Sequence, residues 1–264
     1  MSSPKITLVA EPIFHIGPIT ITNSTVLGTI GVGLLFWLLF YTKNRINSRR
    51  YTRLSIAMFW GFETLLTTTE EILGDKKLAR RLAPLGITMF FVIIINNWIE
   101  ILPFIGTVTI NGTPLFRGLA ADLNFTAALA IITMVTAQIW AIKKRGFFGN
   151  LNRYIANPFT HPTHAFEGSL EIIAEFSRLI ALSMRLFGNI FGGEVLLLVI
   201  SYISSWAAPL SLPIFMFLEL FVGAIQAYVF FMLTVVFISL GTSSVEVEND
   251  GEIQADSQQL IPNT

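Results

Sequence analysis

The sequence of 264 residues contains no cysteine, only three histidines and few charged residues, which make up 13% of the chain. Without cysteine, the chain forms neither disulfide bonds nor thiolate metal sites, and thiol redox chemistry is excluded. The charged fraction is about half that of an average soluble domain. Residues 1–23 also lack a basic segment followed by a long apolar run. We therefore expect no signal peptide, and we expect this N-terminal segment to be retained.

Apolar residues make up 53% of the chain, with 23 phenylalanines among them. This composition predicts an all-α integral membrane protein with a single membrane domain. Its apolar runs predict five membrane-crossing helices, over residues 24–42, 82–105, 120–142, 162–204 and 207–240.

The last two of these helices are predicted to form a hairpin. The first would contain roughly 40 residues and extend for ~60 Å, about twice the hydrocarbon thickness of a bilayer. A helix of that length fits only when it is strongly tilted. Residues 54–73 are amphipathic and are predicted to form an interfacial or re-entrant helix. Residues 241–264 are predicted to be an acidic tail.

The lysines and arginines predict how the chain is oriented. Thirteen of the 17 lie in three clusters, over residues 43–53, 76–81 and 143–153. These clusters connect the predicted helices on one side of the membrane, which the positive-inside rule identifies as the inner side. We therefore expect the N-terminus outside and, after five crossings, the C-terminus inside. The resulting localisation is a bacterial plasma membrane, with an organelle inner membrane as the alternative.

Arg185 is the most informative residue, because it lies inside an apolar run where an ionised side chain costs roughly 3 kcal/mol or more. Six carboxylates also lie in or at the ends of the predicted spans. Intramembrane ionisable groups often mark ion or proton pathways. Two of the carboxylates lie at outer helix ends close to amides, and two lie near the inner end of the hairpin. The first group is Asn97, Glu100, Asp122 and Asn124, and the second is Glu171 and Glu175.

Folding the hairpin at its turn aligns further polar residues. Glu194 becomes nearly level with Glu219, and Arg185 with Gln226, to within about 3 Å. Glu194 follows Arg185 by nine residues, which places it about 180° around the helix. We expect the two level glutamates to share a proton, because two carboxylates in a low-dielectric site do not both ionise cheaply. Glycines on both helices suit close packing.

At these residues the chain resembles subunit a of the F-type ATP synthases, the stator of their membrane motor. The resemblance covers about residues 90–238, with its core in segments 183–189 (SMRLFGN) and 218–230 (LELFVGAIQAYVF). Segments 97–103 (NWIEILP), 122–126 (DLNFT) and 157–162 (NPFTHP) support it.

This resemblance implies a function that is not catalytic by itself. Two offset aqueous half-channels carry protons to and from a carboxylate on a rotating ring, and the essential arginine, here Arg185, separates them. Gln226 and Asn189 are its neighbours. The outer pathway would contain Glu194, Glu219, Asn97, Glu100, Asp122 and Asn124, and the inner pathway Glu171 and Glu175. We expect the ring to contact the face that carries Arg178, Arg185 and Asn189.

The resemblance also implies the partners: the c-ring subunits, the peripheral-stalk b subunits, the remainder of the complex and membrane lipid, with no nucleic acid and no cofactor or metal. Many family members have a histidine where this chain has Glu194 or Glu219, so the coupling ion, H+ or Na+, stays open. The alternative function is a stand-alone secondary transporter or ion channel, in which Arg185 binds an anionic substrate. Against it, the sequence has no internal repeat.

Overall fold

A computed structural model describes residues 11–16, 19–102, 109–110, 113–147, 149–150 and 162–259. Several predictions from the sequence fall on residues outside these ranges: about half of the N-terminal segment, residues 103–105 of the second span, residues 151–153 of the third basic cluster, motif residues 157–161 and the last five residues of the acidic tail.

The fold consists almost entirely of long helices. They are α1 Asn23–Asn47, α2 Arg53–Leu73, α3 Lys76–Glu100, α4 Leu123–Arg145, α5 Pro162–Ser204 and α6 Ala208–Gln259. Among the described residues, five helices are long and apolar enough to cross a membrane, and α2 is not one of them. The predicted all-α membrane class is confirmed.

Two short antiparallel hairpins, which the sequence analysis did not predict, precede α1 and α4. The first pairs β1 Pro12–Ile16 with β2 Ile19–Thr22, and the second pairs β3 Thr109–Ile110 with β4 Thr113–Pro114. Both lie at the bundle end opposite the basic connections.

Helix α6 extends well past residue 240 and continues through most of the predicted acidic tail to Gln259. Proline is the strongest helix breaker, and none occurs between Pro213 and Pro262. Helix α5 contains 43 residues, which correspond to about 65 Å. Both helices are therefore longer than a bilayer is thick, and they cross it at a tilt.

Local capping fixes where the shorter helices begin and end. Gly74 ends α2 with φ of 68°, a left-handed conformation that glycine adopts without steric cost. Asp75 then starts α3 by accepting a hydrogen bond from the Lys77 amide at 2.8 Å. The chain thus reverses direction between α2 and α3 within two residues.

The core lies where α3, α4, α5 and α6 meet. Its largest buried side chains include Ile93, Leu182, Leu186 and Phe230. Hydroxyl groups also link the helices, with Thr133 and Thr234 oxygens 3.4 Å apart and Thr126 and Ser183 oxygens 3.3 Å apart. Such contacts between small polar residues hold helices together where lipid offers no hydrophobic driving force. This core fixes α5 and α6 side by side.

Candidate functional site

Three glutamates and one arginine meet at the end of the bundle that carries the β-hairpins. We call Glu100, Arg117, Glu194 and Glu219 the carboxylate cluster; the residues come from α3, the segment before α4, α5 and α6. Their charges lie close enough to interact electrostatically. Each glutamate has one buried oxygen that accepts no hydrogen bond within the described residues. A buried carboxylate oxygen that accepts no hydrogen bond is costly, so this cluster is a candidate for a functional role.

Arg117 supplies the positive charge of this cluster. Its Nε lies 3.5 Å from Glu194 Oε2, and only 4% of its side chain is exposed. The guanidinium also lies over the Phe191 ring, 5.8 Å from the ring centroid. This contact was not predicted from the sequence, in which Arg117 is a single base between the second and third predicted spans. The feature of the sequence that could have identified Arg117 is its position as a base beside Gly118, just before an apolar run.

Glycines make room for the polar side chains of the site. A Cβ on Gly118 would overlap the Glu100 carboxylate, and one on Gly193 would overlap that of Glu219. Gly223 lies against Asn97, whose Cβ would be 3.3 Å from an added methyl group. The Asn97 amide also donates to the Gly223 carbonyl at 3.5 Å. These glycines therefore accommodate polar side chains, whereas a Cβ added at Gly188 or Gly192 would meet no described atom within 4 Å, so these two do not provide the close helix packing that the sequence suggested.

Arg185 lies on the other side of α5, away from the carboxylate cluster. Its side chain is exposed, and within the described residues it forms no ion pair. Asn189, one turn further along, donates to Gln226 Oε1 at 2.6 Å. Gln226 is 4% exposed, so this hydrogen bond joins α5 to α6 just beneath the surface that presents the arginine.

A second polar group lies towards the basic end of α5. Glu175 Oε1 accepts a hydrogen bond of 2.5 Å from Gln138 on α4. Asn150 in turn donates to Gln138 Oε1 at 3.3 Å. We call Gln138, Asn150 and Glu175 the amide network. The sequence analysis missed both amides, since a neutral side chain in an apolar run does not stand out as a charge does.

Arg178 and Glu171 lie beside the amide network on α5. Arg178 Nη1 is 3.7 Å from Glu171 Oε1, and its guanidinium lies over the Phe237 ring at 5.8 Å. Arg178 is therefore half-buried against α6 and less exposed than Arg185.

Asp122 and Asn124 lie at the start of α4 and have a visible structural role. Asp122 Oδ1 accepts a hydrogen bond from the backbone N–H of Asn124 at 2.9 Å, and its Oδ2 accepts one from the Ser24 hydroxyl at 3.0 Å. These bonds cap α4 and tie it to α1. The Asn124 side chain is exposed. Within the described part of the chain, neither residue forms a hydrogen bond or an ion pair with the carboxylate cluster.

The positions along α5 set the geometry of the site. Glu175 precedes Arg185 by ten residues and Glu194 follows it by nine, which correspond to about 15 Å and 13 Å along the helix axis. Polar groups thus approach the middle of the bundle from both ends. Between them, the described residues place apolar side chains of the core, the Thr126–Ser183 hydroxyl pair, the Asn189–Gln226 hydrogen bond and the exposed arginine.

Comparison with known proteins gives a consistent result. The family model described as "ATP synthase A chain" matches residues 25–239. The chain is 31% identical to ATP synthase subunit a of Mycobacterium leprae, over 87% of this chain and 89% of the relative. It is also 31% identical to ATP synthase subunit a of Enterococcus hirae, over 89% of this chain and 97% of the relative.

Proposed function

This chain belongs to the ATP synthase subunit a family, a component of the Fo stator, and we propose that it provides two offset aqueous half-channels for protons. One half-channel reaches a carboxylate on the rotating c-ring from the outer side, and the other leads from the ring to the inner side. Arg185 separates the two. Proton flow turns the ring and is thereby coupled to ATP synthesis.

The observation that carries this proposal is the placement of two polar groups on opposite sides of Arg185, which is exposed and forms no ion pair with any of the described residues. The carboxylate cluster supplies the outer pathway, with Asn97 beside it and with Asp122 and Asn124 at its edge. The amide network and Glu171 supply the inner pathway. Neither group reaches the arginine, because each stops about 13–15 Å from it along α5.

Arg185 acts by attraction and by exclusion. Its guanidinium keeps its proton in dry surroundings, so it stabilises the ionised form of the ring carboxylate and does not itself relay protons. The hydrogen bond between Asn189 and Gln226 fixes the polar surface next to it. The ring then packs on the α5 face that carries Arg185 and Asn189, where glycines 188 and 192 have open space around them.

The assembly follows from the same proposal. The chain contacts the c-ring subunits through α5 and α6, and the peripheral-stalk b subunits and the remainder of the complex elsewhere. Its N-terminus lies outside and its C-terminus in the cytoplasm of a bacterial cell, as the basic clusters at the other bundle end indicate. The chain is not catalytic by itself.

The substitution Arg185→Lys tests this proposal. We expect it to abolish proton-driven ATP synthesis in membrane vesicles, because a lysine in a dry site can lose its proton whereas arginine keeps it. Arg178→Lys is the matched control, since it makes the same change seven residues away on the same helix. We expect the control to keep most of the activity. Near-normal synthesis in Arg185→Lys would contradict the proposal.

A further inference from the structure

A cavity of about 390 Å³ lies at the basic end of the bundle, between α3, α4 and α6. Four of the side chains that line it are bases and one is an acid: Lys77, Arg81, Lys143, Lys144 and Asp75. The bases come from the first turns of α3 and the last turn of α4. Two helix ends therefore direct a net positive charge into one partly open cavity.

These charges are largely available to a ligand. Asp75 already accepts the hydrogen bond that caps α3. Within the part of the chain that the structure describes, the side chains of Lys77, Arg81 and Lys143 form no ion pair with a carboxylate. The adjacent Arg80 behaves differently, because it pairs with Glu70 at 3.2 Å. Neighbouring bases at the same helix end thus divide into one that is neutralised and others that face the cavity.

The floor of the cavity is apolar. Leu73, Leu78 and Trp140 line it and pack on the buried residues Leu82 and Ile238 beneath. The Lys143 ammonium lies 4.9 Å from the centroid of the Trp140 ring. Tryptophan is enriched at the level of the lipid headgroups, where one end of the ring is wet and the other apolar. A charged rim above an apolar floor suits a ligand with an anionic head and an apolar body.

We propose that this cavity binds the phosphate group of an anionic phospholipid from the inner leaflet. Basic pockets between membrane helices on the cytoplasmic side are suited to such headgroups. The cavity is separate from the proposed proton pathway, because Trp140 follows Gln138 by two residues and points about 160° away around α4. The proposal therefore stands whether or not the half-channel assignment is correct.

Photolabelling in the intact complex tests the proposal. Membranes that contain the full-length chain are labelled with a photoreactive phosphatidylglycerol, and the adducts are mapped by mass spectrometry. We expect adducts on the first turn of α3 and the last turn of α4. In the variant Lys77→Gln, Arg81→Gln, Lys143→Gln, we expect these adducts to fall on the order of tenfold, because each base near a membrane surface contributes to anion binding.

A second triple variant controls for the loss of charge. Lys43→Gln, Arg50→Gln, Arg53→Gln removes three exposed bases from the connection between α1 and α2, at the same end of the bundle. We expect it to label like the wild type. A charge-conserving variant, Lys77→Arg, Arg81→Lys, should also label like the wild type, and it separates the loss of charge from damage to the fold.

Competition identifies the source of the phosphate. Unlabelled phosphatidylglycerol should compete for the site, whereas phosphatidylcholine and millimolar inorganic phosphate should not. Displacement by inorganic phosphate would overturn the lipid assignment in favour of a soluble anion. Equal loss of labelling in both triple variants, or no adducts at the cavity in the wild type, would overturn the proposal itself.

Discussion

The carboxylate cluster and the amide network both place glutamates on α5, but they surround them differently. In the cluster, three glutamates share one buried cation, and each has an oxygen without a hydrogen-bond partner among the described residues. In the network, Glu175 accepts a short hydrogen bond from an amide that is itself held by Asn150. One end of the bundle therefore gathers three carboxylates around one arginine, whereas at the other end a single carboxylate is held by a neutral amide.

This difference suits opposite tasks. Carboxylates that lack donors can take up a proton and pass it on, because protonation supplies the missing hydrogen and relieves the cost of burial. At the other end, the Gln138 amide holds the Glu175 carboxylate in place through a direct hydrogen bond. The two arrangements are consistent with the proposed assignment of the carboxylate cluster to the outer pathway and of the amide network to the inner one.

Among variants of the two polar groups, the largest effect should follow from removing two proton-carrying carboxylates of the cluster. The double variant Glu194→Gln, Glu219→Gln should lower proton flux on the order of a hundredfold, because acid–base groups commonly contribute that much to proton transfer. Glu219→His should retain much of the flux, since an imidazole can also carry a proton. Flux is measured as ring-coupled proton pumping into vesicles. A double variant that conducts like the wild type would place the outer pathway elsewhere.

An intermediate effect should follow from removing the cation. Arg117→Gln leaves Glu194 without its charge partner, and we expect ATP synthesis to fall on the order of tenfold, as when one member of a partly buried pair is lost. Arg117→Lys should recover most of the activity because it keeps the charge. The amount of assembled complex is measured alongside. Equal activity in the Gln and Lys variants would show that the charge of residue 117 is unimportant.

The smallest effect should arise at the amide network. Gln138→Leu removes one side-chain hydrogen bond to Glu175, worth ~1 kcal/mol, so we expect proton flux to fall by roughly fivefold. Gln138→Glu, which removes the donor and adds a like charge, should be worse than Gln138→Leu. The reverse order of these two variants would mean that Glu175 does not depend on a neutral donor.

Part of this arrangement could be predicted from the sequence. Charged residues in apolar runs stand out, so Arg185 and the glutamates were singled out as candidates, and the length of the apolar runs predicted the membrane helices. Arg117, Gln138 and Asn150 were missed because their contacts join separate segments of the chain, from 12 positions apart for Asn150 and Gln138 to 77 for Arg117 and Glu194. Glu194 meets Arg117 across 77 positions, and no local pattern predicts that pairing. The helical course of α6 beyond residue 240 was also not expected, because acidic composition suggested a tail.

The central claim is that the two polar groups open to opposite sides of the membrane and do not connect within this chain. Single cysteines at positions 219 and 175 test it, since the natural chain has no cysteine to interfere. A membrane-impermeant methanethiosulfonate is applied to sealed vesicles of either orientation. We predict that Glu219→Cys is modified only from the outer side and Glu175→Cys only from the cytoplasmic side. Modification of both cysteines from the same side would contradict the account.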